Sequence, residues 1–246
     1  MIKRTIILFI ITFFSDDILH AQVTWDKKIL TFPVTKNTDI VYNYPTEIDN
    51  EAIKYYNKAI NESSSNRELA IEYYLKAIEI EPTFIQAYDN LGQLFRVFEK
   101  YNLSIECYNK SISIYPKGHI AQINLATLYS HQNNSEKAIM HYKEVIQIKP
   151  DSPEGYYGVA KIYLDDKKLN SALEYAEKAL SRYKKKPNIG IADSYAIIGL
   201  VYYYLDKPTE AKKHIQLAKS KYQEYNILEV FHTTFPKWLL KELSIR

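Results

Sequence analysis

The chain has 246 residues, and its 32 Lys and Arg stand against 29 Asp and Glu, a formal net charge of +3. With 25% charged and 46% hydrophobic residues it has enough apolar surface to build a core, which argues against wholesale disorder. A charge this close to neutral argues against a general nucleic-acid binder, which needs a basic surface to replace counterions. Six glycines disfavour folds made of many tight turns or glycine-rich phosphate loops, and the single Cys107 excludes an intramolecular disulfide and any multi-cysteine metal site.

The first element in chain order is a processing signal. Lys3 and Arg4 give a short positive segment, and Thr5 to Phe14 is an apolar run too short to span a bilayer. Ala21 then precedes Gln22, so residues 1–21 read as a secretory signal peptide cut after Ala21. That predicts a secreted or periplasmic protein with no integral membrane segment once processed. Export with a lone cysteine fits a bacterial periplasm or exterior, where disulfides are optional. Residues 22–48 hold Trp25 and Phe32 without a helical period, which predicts an extended N-terminal arm.

From residue 49 a fixed period takes over. Gly92, Ala126 and Ala160 are 34 residues apart, as are Pro116 and Pro150, and as are Ser104, Ala138 and Ala172. One unit reads Tyr88-x2-Leu91-Gly92-x2-Phe95, then Ser104-x3-Tyr108, then Pro116. The next reads Leu125-Ala126-x2-Tyr129, then Ala138-x3-Tyr142, then Pro150; a third runs from Tyr156 through Ala160 and Tyr163 to Ala172. Two further copies flank these, one around Ala59, Ala70 and Tyr74, the other around Tyr195, Gly199 and Ala211. The period predicts five two-helix units, at 52–84, 85–118, 119–152, 153–191 and 192–221, within an array running from 49 to 221. Small residues mark where an A helix crosses a B helix, and aromatic residues fill the gaps between them. The fifth unit follows an insertion holding Lys184, Lys185, Lys186 and Pro187. A single unit cannot bury its own apolar face, so the array needs covered ends. Residues 222–246, with Phe231, Trp238, Leu239 and Leu243, have the amphipathic pattern of one or two capping helices.

This pattern resembles the tetratricopeptide repeat family, and the resemblance covers about three quarters of the chain after the signal. It implies an all-α fold, a right-handed superhelical solenoid whose concave groove is lined by one side of each A helix. In this family that groove binds an extended peptide or a partner helix. Carried over, the lining residues include Gln86, Asp89, Asn90 and Gln93 from the second unit, and Ile123, Asn124 and Thr127 from the third. Tyr157 and Lys161 come from the fourth, and Ala196, Ile197, Leu200, Tyr203 and Tyr204 from the fifth. Asn57, Asn90 and Asn124 fall in one register, resembling the asparagine ladder by which some relatives grip a peptide backbone, since an amide both donates and accepts. The positions that relatives use to clamp a terminal carboxylate hold no basic residue here, which excludes that specificity.

No catalytic constellation is present: there is no nucleophile elbow, phosphate loop or His-Glu-x-x-His motif. His131 and His141 lie in different helices without metal-ligand spacing and read as surface polar residues. Cys107 reads as a small packing residue, and Asn133-Asn134-Ser135 as a helix cap. Charge divides mildly along the chain, with 11 bases against 6 acids over 184–246 and −2 over 22–183. The expectation is a non-catalytic scaffold or adaptor of the bacterial envelope or exterior. It needs no cofactor or metal, takes a protein or peptide partner and no nucleic acid. The alternative is a structural, oligomeric or autoinhibited component whose own N-terminal arm fills the groove.

Overall fold

A computed structural model of the chain describes residues 48–185 and 188–245. The signal peptide, nearly all of the extended arm, and Lys186 and Pro187 of the insertion lie outside the described residues. Every element among the described residues is an α-helix. The first pair is α1 (Asn50–Glu62) and α2 (Arg67–Ile80), followed by α3 (Ile85–Val97) and α4 (Tyr101–Ile114). Next come α5 (His119–His131) and α6 (Ser135–Ile148), then α7 (Pro153–Asp165) and α8 (Leu169–Tyr183). The series ends with α9 (Gly190–Tyr204), α10 (Pro208–Glu224), α11 (Leu228–Thr234) and α12 (Lys237–Glu242). The molecule divides into two compact units, one ending at Leu128 and the other beginning at Tyr129.

Local chemistry sets the helix ends. Asp49 caps α1, its carboxylate accepting from the backbone N–H of Glu51 at 2.7 Å. Asn66 and Asn134 cap α2 and α6 the same way, each accepting from the N–H three residues on at 3.1 Å. The capping role expected for the Asn133-Asn134-Ser135 segment is therefore what the backbone uses. Pro153 and Pro208 occupy the first turns of α7 and α10, where the missing N–H costs nothing.

The turns from A helix to B helix have a less expected chemistry. Glu99, Asn133, Lys167 and Asp206 each adopt the left-handed conformation, at φ between 56° and 60°. The next residue's N–H then closes the turn onto the preceding helix, as with Lys100 on the Phe95 carbonyl at 2.8 Å and Lys168 on Tyr163 at 2.8 Å. Tight turns recur here without glycine, and no described glycine has positive φ. Scarce glycine therefore did not mean few tight turns. Glutamate, lysine and aspartate carry the conformation instead, at a steric cost of roughly 1 kcal/mol each.

The glycines serve packing. At Gly92 an added methyl group would lie 2.6 Å from Tyr108 Cε1, inside a ring that is fully buried. At Gly158 it would strike the Tyr142 ring, and at Gly155 it would come 2.9 Å from the Tyr142 carbonyl oxygen. Alternating small and aromatic residues thus bring helices close and fill the space beside the contact. Ser104, on α4, repeats this from the other side and donates to the Gly92 carbonyl at 2.7 Å.

Each unit has its own core. In the first, Ala52, Ala59, Ala70, Tyr74, Ala77, Tyr88, Leu91 and Phe95 are buried together with Cys107. Burial pushes the Cys107 thiol well up, which keeps it protonated and unreactive, as a packing residue should be. In the second, Ala160, Ala172, Ala176, Ile198, Ala211, Ile215 and Tyr222 join Phe231, Phe235 and Leu239 of the C-terminal segment. That segment folds as two short helices, and its apolar side continues the core beyond α10.

Candidate functional site

In the first unit the residues singled out by sequence have unequal roles. Asn57 and Gln93 are exposed on α1 and α3, and Gln86 is half-buried. Asn90 spends its amide N–H groups internally, donating to the hydroxyls of Tyr56 at 3.1 Å and Tyr74 at 3.3 Å. It thereby ties α3 to α1 and α2. Thr127 returns its hydroxyl to the Ile123 carbonyl at 2.9 Å, and both side chains are half-buried. The amide nitrogen of Asn124 is buried without a hydrogen-bond partner. The three asparagines of one register are thus one exposed, one engaged in the fold, and one holding an unsatisfied donor.

Asp89 departs from the inner-face position expected for it. It is only 7% exposed, and one carboxylate oxygen has no partner. Burial raises its pKa to about 6, against the opposing pull of a hydrogen bond from Ser111. Two buried tyrosines stand nearby on the same helices. The Tyr108 hydroxyl is pushed up to about 12, chiefly by burial.

In the compact unit that begins at Tyr129 a more concentrated set forms. Tyr157 and Lys161 lie one turn apart on α7, both half-buried. Asp193, in the first turn of α9, accepts from the Tyr222 hydroxyl of α10 at 2.5 Å. Burial raises the Asp193 carboxyl, while that hydrogen bond and the charge of Lys161 pull it down. The Tyr157 hydroxyl is held well above its ordinary value, first by burial and then by the charge of Asp193. One acceptor and one cation therefore meet on neighbouring A helices, walled by tyrosine. Sequence reasoning named Tyr157 and Lys161 and missed Asp193. Asp193 lies three residues before Ala196, on the same face one turn earlier, so the helical period could have found it. Of the neighbouring positions expected in the groove, Ala196, Ile197 and Leu200 are buried in the core of this unit.

Tyr203 and Tyr204 form a separate group at the end of α9. The Tyr203 hydroxyl donates to the Glu242 carboxylate of α12 at 3.3 Å, and its ring lies 6.2 Å from Trp238. Lys167 sits 3.9 Å over the Tyr204 ring. The C-terminal segment thus partly occupies the aromatic end of this surface.

The remaining polar groups have local explanations. His141 is half-buried rather than on the open surface, stacked on Tyr129 at 5.5 Å, and burial lowers its pKa. Among the described residues no three His, Cys, Asp or Glu side chains are grouped to hold a metal ion. No helix among them is long and apolar enough to cross a membrane.

Comparison with known proteins agrees with the repeat geometry. A family model described as "TPR repeat" matches residues 126–166. Two described as "Tetratricopeptide repeat" match 107–140, and 62–84, 85–117 and 153–186. Together these run from 62 to 186, about half of the chain. No curated protein matches it in sequence. Among solved structures, MamA from Desulfovibrio magneticus RS-1 is 16% identical with a TM-score of 0.60, covering 72% of this chain and 98% of that one. PilF of Pseudomonas aeruginosa is 18% identical with a TM-score of 0.61, covering 78% and 91%. YrrB, described as a TPR protein with an unusual peptide-binding site, is 20% identical with a TM-score of 0.53, covering 72% and 90%. At these identities the likeness is one of fold. The 34-residue spacing, the paired helices, the small residues at their crossings and the family models agree: this chain belongs to the tetratricopeptide-repeat family.

Proposed function

We propose that this protein is a non-catalytic scaffold that holds a polypeptide segment against the exposed faces of its A helices. The observation that carries this is the contact of α7 with α9, which sets Lys161 and Tyr157 by Asp193, the acceptor of the Tyr222 hydroxyl. An extended backbone offers alternating N–H and C=O groups. An ammonium answers the carbonyls and a carboxylate answers the amides. Tyrosine walls add apolar area at low conformational cost. In the first unit the exposed amides of Asn57 and Gln93 offer the same dual chemistry. Both surfaces are preformed on rigid helices, which lowers the ordering cost of taking up a flexible ligand. The likeness to YrrB, a TPR protein with an unusual peptide-binding site, supports the partner class. The reading of residues 1–21 as an export signal adds a location, the bacterial envelope or the exterior, and rests on sequence alone.

A displayed library of random linear peptides, selected on the full chain, supplies the ligand to measure. The triple substitution Asn57→Ala, Gln93→Ala and Lys161→Ala should weaken the selected peptides by about tenfold or more in fluorescence anisotropy. Each change removes a side chain that is exposed or half-buried, so stability should stay within about 0.5 kcal/mol per site. Selected peptides that bind the triple variant as tightly as the parent would overturn the proposal.

A further inference from the structure

The C-terminal segment carries a feature that the A-helix surfaces do not use. An open surface depression of about 580 Å³ is lined by His232 of α11 and by Lys237, Leu240, Lys241, Ser244 and Ile245 at the C-terminal end. Leu240 and Ile245 contribute apolar side chains to it, with Ile245 8% exposed. Its rim is basic. Lys237 and Lys241 are four apart on α12 and so share one helix face, with His232 contributed by α11. All three are exposed, and none has an acidic partner within ion-pair distance among the described residues. The carboxylate next to them in sequence, Glu242, accepts from Tyr203 on α9. Apolar side chains beside the unneutralised ammonium groups of Lys237 and Lys241 are complementary to an apolar group flanked by negative charge.

We propose that this depression docks an acidic polypeptide segment, seating one apolar side chain on Leu240 and Ile245 between carboxylates held by Lys237 and Lys241. The site is separate from the A-helix surfaces, and only its choice of a polypeptide occupant rests on the function proposed above. A bilayer surface fits less well. Insertion into a bilayer needs protruding apolar side chains beside the basic ones, whereas Leu240 is half-buried and Ile245 buried.

The test uses the full chain and a fluorescein-labelled, amidated pentapeptide of sequence Glu-Glu-Leu-Glu-Glu, followed by anisotropy. Saturable binding should weaken by about tenfold or more in the Lys237→Glu, Lys241→Glu double variant. It should weaken similarly when the peptide's leucine becomes serine. The Asn57, Gln93 and Lys161 triple variant should bind this peptide unchanged, which separates failure of this proposal from failure of the A-helix reading. Both lysines are exposed, so circular dichroism of the double variant should match the parent. Equal binding by the double variant would overturn the proposal. So would indifference to the leucine-to-serine change, which would mean charge attraction without a seat. Lysine-dependent binding to vesicles of phosphatidylcholine and phosphatidylglycerol, with no peptide binding, would overturn it in favour of a membrane surface.

Discussion

Replacing Phe231 by alanine is expected to cost about 3–5 kcal/mol, the usual range for emptying a buried phenylalanine site. Phe231 is fully buried, 5.0 Å from the Phe235 ring and 6.4 Å from the Tyr222 ring. It continues the core of the second unit from α10 into the C-terminal segment. After α10 come the short α11 and α12 in place of another A helix, and they cover its apolar side. Seven- and six-residue helices are too short to be stable alone and hold their shape only through such contacts. Domain stabilities are typically about 5–15 kcal/mol, so this loss is a large fraction of the whole. Urea unfolding should show a clearly lower midpoint, with dye-detected apolar exposure at lower denaturant. Trp238→Ala is the control. Trp238 is 40% exposed, and its loss should cost much less. If the two substitutions cost the same, the cap does not act through its buried face.

The second large effect has the opposite sign. Asp89→Asn should stabilise the protein at neutral pH by about 1–2 kcal/mol, because it removes a buried charge with an unpartnered oxygen while keeping a group that Ser111 can bond. The pH dependence gives the sharper readout. The folded-state pKa of Asp89 is raised to about 6 from 3.8, so between those values the folded chain binds the extra proton. Stability therefore rises as pH falls from about 7 to about 4, by up to about 3 kcal/mol from this group. Below the unfolded value the penalty is fully relieved, and above about 6 it is fully present. In Asp89→Asn that slope should shrink without vanishing, since Asp193 is also raised by burial. Urea midpoints at several pH values check this, and an unchanged slope would show that Asp89 is not the group responsible.

Much of the fold was legible because it depends on spacing. A period of 34 residues places a small residue at each helix crossing whatever the rest of the sequence does, so Gly92, Ala126 and Ala160 could be read directly. The Asn134 cap was legible because its chemistry is local. The left-handed turns at Glu99, Lys167 and Asp206 were not, since these residue types carry no sequence mark for that conformation. Asp89 was misplaced for a related reason. A helical period says which face a residue occupies, not whether a neighbouring helix covers that face. The Asp193 cluster needed three dimensions: Tyr222, its hydrogen-bond donor, is 29 residues away. Tyr203 was readable as a surface aromatic, but its bond to Glu242 depends on where the C-terminal segment folds back.

The central claim is that partners are held by A-helix faces. It is tested most directly by site-specific photo-crosslinking in the native cell. A benzophenone amino acid replaces Gln93, exposed on α3, or Glu106, exposed on the B helix α4 of the same repeat. The account predicts one or a few discrete polypeptide adducts at position 93, lost when the Asn57→Ala change on the neighbouring A helix α1 is added, and none of the same species at position 106. The same adducts at both positions, or adducts at 106 alone, would contradict it.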